Sequence, residues 1–391
     1  MTPRTPETRP VRAVFCHFTA DVCGGSDRSL FDLVTHLPRD RFAPAVILRR
    51  GDPLTREYAA ADVPVIERTF VPPRRAFEPL KIARYLLHFG PAAWGIARDL
   101  RRLEADVAHV NTLFNVQGAL GAWLAGCPLV WHVRELVPGS RAARVMHWLV
   151  ARLAARAVAN STAVLDSIAR YGERARLVFN GIDAEDYAVQ RDGAVLRREF
   201  GVAPGQPLIV TIGRLEPWKG QHVLIEAAAR TLLAHPDARF LVVGGAAVNK
   251  PEYAAQLHAR CAELGIADHV HFTGVRQDVP DILAAADVLV LPSVTPEPFG
   301  RTLVEAMLAG TPVVATNAGG PRDIVVDGET GVLVPPDDAP ALAARLDELI
   351  ADPARARAMG TRGRARALAH FTLERMVREM AVVLEEAVSR S

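Results

Sequence analysis

Short apolar runs recur along the chain, and the stretches between them carry apolar positions at helical spacing. In the first half the runs are VRAVFCHFT from Val11, APAVILRR from Ala43, VPVIERTF from Val63, ADVAHVNT from Ala105, PLVWHVRE from Pro128, RAVAN from Arg156 and ARLVFNG from Ala175. In the second half they are PLIVTIG from Pro207, RFLVVGG from Arg239, HVHFTG from His269, DVLVLPS from Asp287, TPVVAT from Thr311 and GVLVPP from Gly331. Segments such as GQHVLIEAAARTLLAHP (from Gly220) and DDAPALAARLDELIAD (from Asp337) separate them and read as helices. Near-continuous apolar strands alternating with helices predict parallel sheets covered on both faces, an α/β fold.

The pattern also restarts. NGIDAEDYAVQRDG, from Asn180, is polar and turn-rich, and a fresh strand follows near Pro207. The expected architecture is two doubly wound, Rossmann-like domains facing each other across a cleft, residues 1–185 and 186–371. The last helix, 372–391, carries an apolar stripe through Met376, Met380, Val383 and Leu384. It either completes the second core or packs back on the first domain.

Bulk properties narrow this picture. The 391 residues are too many for one typical core. Lys plus Arg (46) nearly equals Asp plus Glu (44), which argues against a dedicated nucleic-acid binder. Cys16, Cys23, Cys127 and Cys261 lack zinc-like or CxxC spacing and read as buried or idle thiols. No apolar run is long enough to span a bilayer, and the start, MTPRTPETRP, has no apolar core of a signal peptide. A cytoplasmic protein is expected.

Chemistry concentrates where strands give way to helices. In TPEPFGRTLVEAMLAGTPVVATNAGG, from Thr295, a loop leads to a helix expected to begin near Phe299 and Gly300. Free N–H groups of Gly300, Arg301 and Thr302, backed by the helix dipole, suit a phosphate. Glu305 would lie on the second turn, within reach of diol hydroxyls, and Glu297 in the loop before it. On this stretch alone an anion site and an ordinary acid-rich helix start fit equally. GRLEPWKG, Gly213 to Gly220, sets Arg214 and Lys219 at the carboxyl end of another strand of the same sheet. Two cations there suit a diphosphate, although by itself the stretch also reads as an exposed basic loop.

Taken together, GRLEPWKG, FTGV, ADVLVLPS, EPFGRTLVEA and GGPRDIVVDGETGVLV, with CGGS and NGID in the first half, resemble the retaining GT-B glycosyltransferases of family 4. The resemblance covers nearly the whole chain and is strongest over 207–335. It implies that Arg214 and Lys219 hold a donor diphosphate, Glu297 the transferred sugar and Glu305 the ribose. Phe299, Gly300, Arg301 and Thr302 would offer backbone N–H groups, the backbone at Val275 and Arg276 would read the base, and Gly24 and Gly25 would approach the sugar-phosphate. Ser26 looks like the cap of the helix after Gly25.

His132 and Arg134 share one face of PLVWHVRE. Family members carry a histidine near that strand's end, facing the donor sugar. Counting from Pro128, Arg134 occupies that place and His132 lies two residues earlier, a departure from the family pattern; one of the two is expected to act there, and Glu135 could orient either one. Together with Glu297, Arg214 and Lys219 they make the candidate catalytic set. No metal motif accompanies it; Asp337 and Asp338 follow a strand but read as a helix cap. The implied reaction needs no metal or other cofactor, because cationic side chains and a helix dipole can stabilise the leaving diphosphate. The partners implied are a nucleotide-sugar donor and a saccharide, lipid-linked or small-molecule acceptor bound by the first domain. The segment PRRAFEPLKIARYLLHFGPAAWGIARDLRR, from Pro73, mixes basic and apolar residues. It reads as a core-facing helix or as a basic amphipathic helix touching an anionic membrane. The competing functions are a sugar-nucleotide epimerase and a non-catalytic nucleotide-sugar binding protein.

Overall fold

The structure is a computed structural model that describes residues 9–17, 24–69, 79–137, 139, 141–187, 193–247 and 250–389. The chain divides into two compact units: one formed by 1–181 and 373–391, the other by 182–372.

The first unit runs β1 (Val11–Cys16), α1 (Gly25–Thr35), β2 (Phe42–Arg49), α2 (Thr55–Ala60), β3 (Val65–Arg68), α3 (Pro79–Arg102), β4 (Val107–Asn111), α4 (Val116–Ala125), β5 (Leu129–Val133), α5 (Arg141–Leu153), β6 (Arg156–Ala159), α6 (Thr162–Ile168) and β7 (Ala175–Leu177). Its seven strands pair in parallel in the order β3-β2-β1-β4-β5-β6-β7. The second unit runs α7 (Gly193–Glu199), β8 (Leu208–Ile212), α8 (Gln221–Ala234), β9 (Arg239–Val243), α9 (Pro251–Glu263), β10 (Val270–Gly274), α10 (Val279–Ala285), β11 (Val288–Leu291), α11 (Arg301–Ala309), β12 (Val313–Thr316), α12 (Pro321–Ile324), β13 (Val332–Val334), α13 (Ala339–Ala351) and α14 (Pro353–His370). Its six strands are also parallel, ordered β10-β9-β8-β11-β12-β13. Each apolar run of the sequence is one of these thirteen strands. The runs are continuous because helices bury both faces of each sheet: Val46, Ile47 and Leu48 are consecutive on β2 and all buried.

The final helix, α15 (Leu373–Val388), belongs to the first unit. Met376, Met380 and Leu384 share a core with Leu30, Leu33 and Tyr58 on one face of the seven-stranded sheet. Ile96, Leu100, Ala119, Ala122 and Val150 fill the other face. Burial of each large α15 side chain contributes about 1.5–3 kcal/mol. Glu385 meets Arg41 at 2.7 Å, and Glu386 bridges Arg156 at 2.8 Å and Arg176 at 2.9 Å, fixing the C-terminal end of the helix.

Two local expectations change. α1 begins at Gly25 with Gly24 as its cap residue, so Ser26 lies inside the helix. The Asp27 carboxylate reaches back to accept the Gly24 N–H at 2.6 Å and takes the capping role. The strand before Glu297 ends at Leu291, two residues before Ser293. Asp338 caps α13 by accepting the Ala341 N–H at 2.8 Å. Cys16, Cys127 and Cys261 are free and buried, while Cys23 lies outside the described residues.

Candidate functional site

Strand order reverses beside β8 in the second unit: the chain leaves β8 for β9 and β10, then returns to β11 on the other side. Connections diverge at such a point and leave a crevice at the strands' carboxyl ends. The loops after β8 and β11 flank it, and they carry GRLEPWKG and SVTPEPFG.

Glycine brings these loops together. Gly220 ends the short turn Pro217–Lys219 at φ +72° and starts α8; a Cβ there would lie 1.9 Å from the Pro292 carbonyl oxygen. The Trp218 carbonyl then accepts the Val294 N–H at 2.9 Å. Gly319, at φ +76°, lets the loop after β12 approach so closely that a Cβ would lie 2.2 Å from the Glu297 carbonyl oxygen. Neither position admits another residue without moving backbone.

This packing places Lys219 against Glu297. The ammonium lies 2.9 and 2.8 Å from the two carboxylate oxygens, with both side chains largely buried. Ser293 donates its hydroxyl to Glu297 Oε2 at 2.9 Å, and Thr316 donates to the Ser293 carbonyl at 2.9 Å. Lys219 also sits 4.2 Å from the centroid of the Trp218 ring. Arg214 is more exposed and faces Glu216 at 3.1 Å, whose other oxygen takes the Trp218 indole N–H. The result is a connected run of charge, Arg214–Glu216–Trp218–Lys219–Glu297–Ser293.

Beyond Glu297, Phe299 is buried and Gly300 caps α11 at φ +104°. Arg301 and Thr302 form the first turn, where backbone N–H groups have no intrahelical acceptor. Glu305, largely buried, accepts Arg301 Nε at 2.8 Å. Val275 and Arg276 follow β10, two strands from β8. Val275 is exposed, and the Arg276 side chain is committed to Asp278 (2.9 and 2.6 Å) and Glu199 (2.7 and 3.2 Å). Its backbone still borders the same edge, since Gly244 donates to the Gly274 carbonyl at 2.9 Å and Leu215 to Gly245 at 2.9 Å.

The first unit holds a different polar cluster. His132 and Arg134, adjacent on one face of β5 and its end, are both buried. Arg134 donates Nε to Asn111 Oδ1 at 2.6 Å and Nη1 to Asn180 Oδ1 at 2.6 Å and Ser29 Oγ at 3.2 Å; Nη2 lies 3.4 Å from His132 Nδ1. His109 Nε2 lies 3.4 Å from the same His132 nitrogen, and Asn111 Nδ2 lies 3.3 Å from His17 Nδ1. His17 Nε2 is in turn 2.9 Å from Asp27 Oδ1, just past Gly24 and Gly25. A guanidinium only donates, so His132 Nδ1 accepts and the ring proton sits on Nε2, which has no partner among the described residues. Burial, then Arg134 and His17, push His109 down to about 3, and burial with Arg134 and His109 lowers His132 well below the usual imidazole range. Both rings are neutral. Glu135 orients neither: its carboxylate accepts the backbone N–H groups of Leu113 (2.9 Å) and Arg134 (3.1 Å).

Several of these partners escape a reading of sequence. Asp278 and Glu199 lie outside every motif, and Glu216 and Ser293 lie inside GRLEPWKG and ADVLVLPS with nothing in the letters to show what they hold. His109 and Asn111 alternate on HVN, and Asn180 opens NGID, so the period of two and the turn motif were the available signals.

Comparison with known proteins agrees with this architecture. Residues 194–366 match the family Glycosyl transferases group 1, and residues 23–186 match Glycosyltransferase Family 4. The alpha-maltose-1-phosphate synthase of Mycolicibacterium smegmatis is 32% identical over 330 residues, covering 74% of this chain and 84% of that protein. The GDP-mannose-dependent alpha-(1-6)-phosphatidylinositol monomannoside mannosyltransferase of the same organism is 35% identical over 239 residues, 56% of this chain and 61% of that one. Against this and two other curated relatives the match spans 40–61% of their length. The crystal structure of Anabaena Alr3699/HepE in complex with UDP and glucose superposes with a TM-score of 0.83 at 29% identity, covering 96% of this chain and 99% of that one. The two parallel-sheet units are those of the GT-B fold. The chain belongs to the group 1 glycosyltransferases.

Proposed function

We propose that this protein is a retaining, metal-independent glycosyltransferase that moves a sugar from a UDP- or GDP-sugar to an acceptor hydroxyl. The observation that carries the reading is the Lys219 ammonium held on Glu297, with Arg214 on the same loop, at the point where strand order reverses.

A diphosphate entering there would compete with Glu297 for Lys219 and with Glu216 for Arg214. Its charge would be met by the two side chains and by N–H groups at the start of α11. The exchange frees the Glu297 carboxylate, still held by Ser293, to accept hydroxyls of the transferred sugar. Glu305 takes the ribose diol, Phe299, Gly300, Arg301 and Thr302 line the phosphate and sugar, and the backbone at Val275 and Arg276 borders the base. The first unit binds the acceptor, and Gly24 and Gly25 are the positions that the resemblance assigns to the sugar-phosphate. Of the two candidates on β5, His132 offers its Nε2–H to the sugar, and Arg134 fixes the ring from the Nδ1 side. As the glycosidic bond breaks, the cations stabilise the leaving diphosphate. The acceptor hydroxyl attacks from the departing face and passes its proton to a phosphate oxygen, which retains the anomeric configuration. The acceptor belongs to polysaccharide, glycolipid or glycosylated-metabolite synthesis.

Support for the donor class comes from relatives on both sides of the base question: HepE was solved with UDP-glucose, and the mannosyltransferase is named GDP-mannose-dependent. A panel of UDP-, GDP- and ADP-sugars, scored by thermal unfolding, tests it. A cognate donor at a hundred times its Kd should add about 2.7 kcal/mol to the stability of the native state. No shift with any member of the panel would overturn the reading.

A further inference from the structure

The outward faces of α3, α4 and α5 hold what the proposed chemistry does not use. Each carries one exposed tryptophan: Trp94 is 59% exposed, Trp123 59% and Trp148 61%. Leu87, Leu124 and Val145 are exposed beside them. Single exposed apolar residues are ordinary, but three indoles on three helices covering one sheet face are not.

These helices form one surface. Their inner residues, Ile96 and Leu100 of α3, Ala119 and Ala122 of α4 and Val150 of α5, share a single core. Gly121 lets α4 lie directly on α3, where a Cβ would come within 2.7 Å of the Ile96 side chain. Arg101 of α3 donates to the Leu124 carbonyl at the end of α4.

The exposed charges described on these three helices have one sign. Arg98, Arg101, Arg102, Arg144 and Arg152 are exposed. The three helices contain one acid, Asp99, which is buried against Arg68. Arg98 stacks over Trp94 with its guanidinium carbon 5.7 Å from the ring centroid, the arrangement of an aromatic sharing an interface with a cation.

We propose that this face docks on an anionic lipid surface. Indoles and aliphatic side chains enter the headgroup boundary while arginines meet lipid phosphates. A second copy of the chain is disfavoured, because the face would meet its own positive charge. A nucleic acid gives no use to Leu87, Leu124 and Val145. Among the described residues no helix is long and apolar enough to cross a membrane, so the contact is peripheral. The expectation from the segment beginning at Pro73 is thereby moved. Residues 73–78 lie outside the described residues, and Ala93, Ile96, Ala97 and Leu100 of α3 face the core, leaving the docking to its other side and to two further helices.

The test is sedimentation of the full chain with vesicles of phosphatidylcholine alone or with about one third phosphatidylglycerol, at low and high salt. We expect at least tenfold tighter binding to the anionic vesicles, weakening with salt, and quenching of tryptophan emission by brominated acyl chains. The triple variant W94A/W123A/W148A, whose substitutions are on the surface, should keep its thermal midpoint within a few degrees and lose binding at least tenfold. A second variant, R98Q/R144Q/R152Q, should lose the preference for phosphatidylglycerol. Equal binding to both vesicle types, unchanged binding of the tryptophan variant, or self-association or duplex DNA binding abolished by the same substitutions would overturn the proposal. Failure of donor binding leaves this result untouched, since Lys219→Ala is expected to sediment like the parent chain.

Discussion

The two units solve the same problem, polar groups at the carboxyl ends of parallel strands, in opposite ways. In the second unit each of these charges has an opposite charge beside it: Lys219 on Glu297, Arg214 on Glu216, Arg301 on Glu305. In the first, Arg134 is buried among amide oxygens, a hydroxyl and neutral imidazoles. Such a pair adds little net stability, because the desolvation of two ions offsets their attraction, and a ligand's charge can take the place of one partner. A buried hydrogen-bonded network is costly to break, because each orphaned partner keeps its desolvation penalty. The second cluster is therefore built for exchange, the first for holding position.

The largest expected effect tests the holding role. Arg134→Ala strands the oxygens of Asn111, Asn180 and Ser29 and should cost about 3 kcal/mol in urea unfolding of the first unit. A cost under 1 kcal/mol would erase the contrast. Next come Lys219→Ala and Glu305→Ala, each expected to lower turnover at least tenfold, about 1.4 kcal/mol in the barrier, with the fold intact. Full activity in both would remove the site from the second unit.

Acidification separates the clusters further. His109 and His132 stay unprotonated when folded, whereas the unfolded chain binds a proton on each near pH 6.5. Their contribution is therefore complete above about pH 6.5 and is lost as pH falls, by about 1.4 kcal/mol per pH unit for each ring, down to about pH 3 for His109. Glu135, raised by burial, works the other way: the folded state protonates it first, which restores stability as pH drops through its folded pKa. Unfolding midpoints between pH 7 and 5.5 should fall more steeply for the first unit, with its two buried rings, than for the second, where partial burial and Arg239 lower His271; parallel slopes would argue against neutral buried rings. The smallest effect is expected from EDTA, which should leave transferase activity unchanged. Complete loss restored by Mg²⁺ would refute the metal-free reaction.

Strands were legible because burial on both faces writes a run such as VLVL directly into sequence, and Asp338 announced its cap by position. Lys219 and Glu297 could be nominated one by one, since each follows an apolar run. Their bond could not, because 78 residues separate them and only strand order makes their loops neighbours. Ser293 looked like any loop serine until Glu297 was in place. Glu135 was misjudged for a related reason: two backbone N–H groups outcompete a distant ring, and backbone donors leave no letter in a sequence.

Since α15 closes the core over Leu30 and Leu33, the first unit stays open along one flank until residues 182–372 have been synthesised. Residues 182–372 are contiguous and can fold during that interval, their two ends already joined where Ile182 donates to the Phe371 carbonyl at 3.0 Å. Translation order and folding order of the two units are thus reversed, and a stop codon a few residues before Met376 would damage the first unit most.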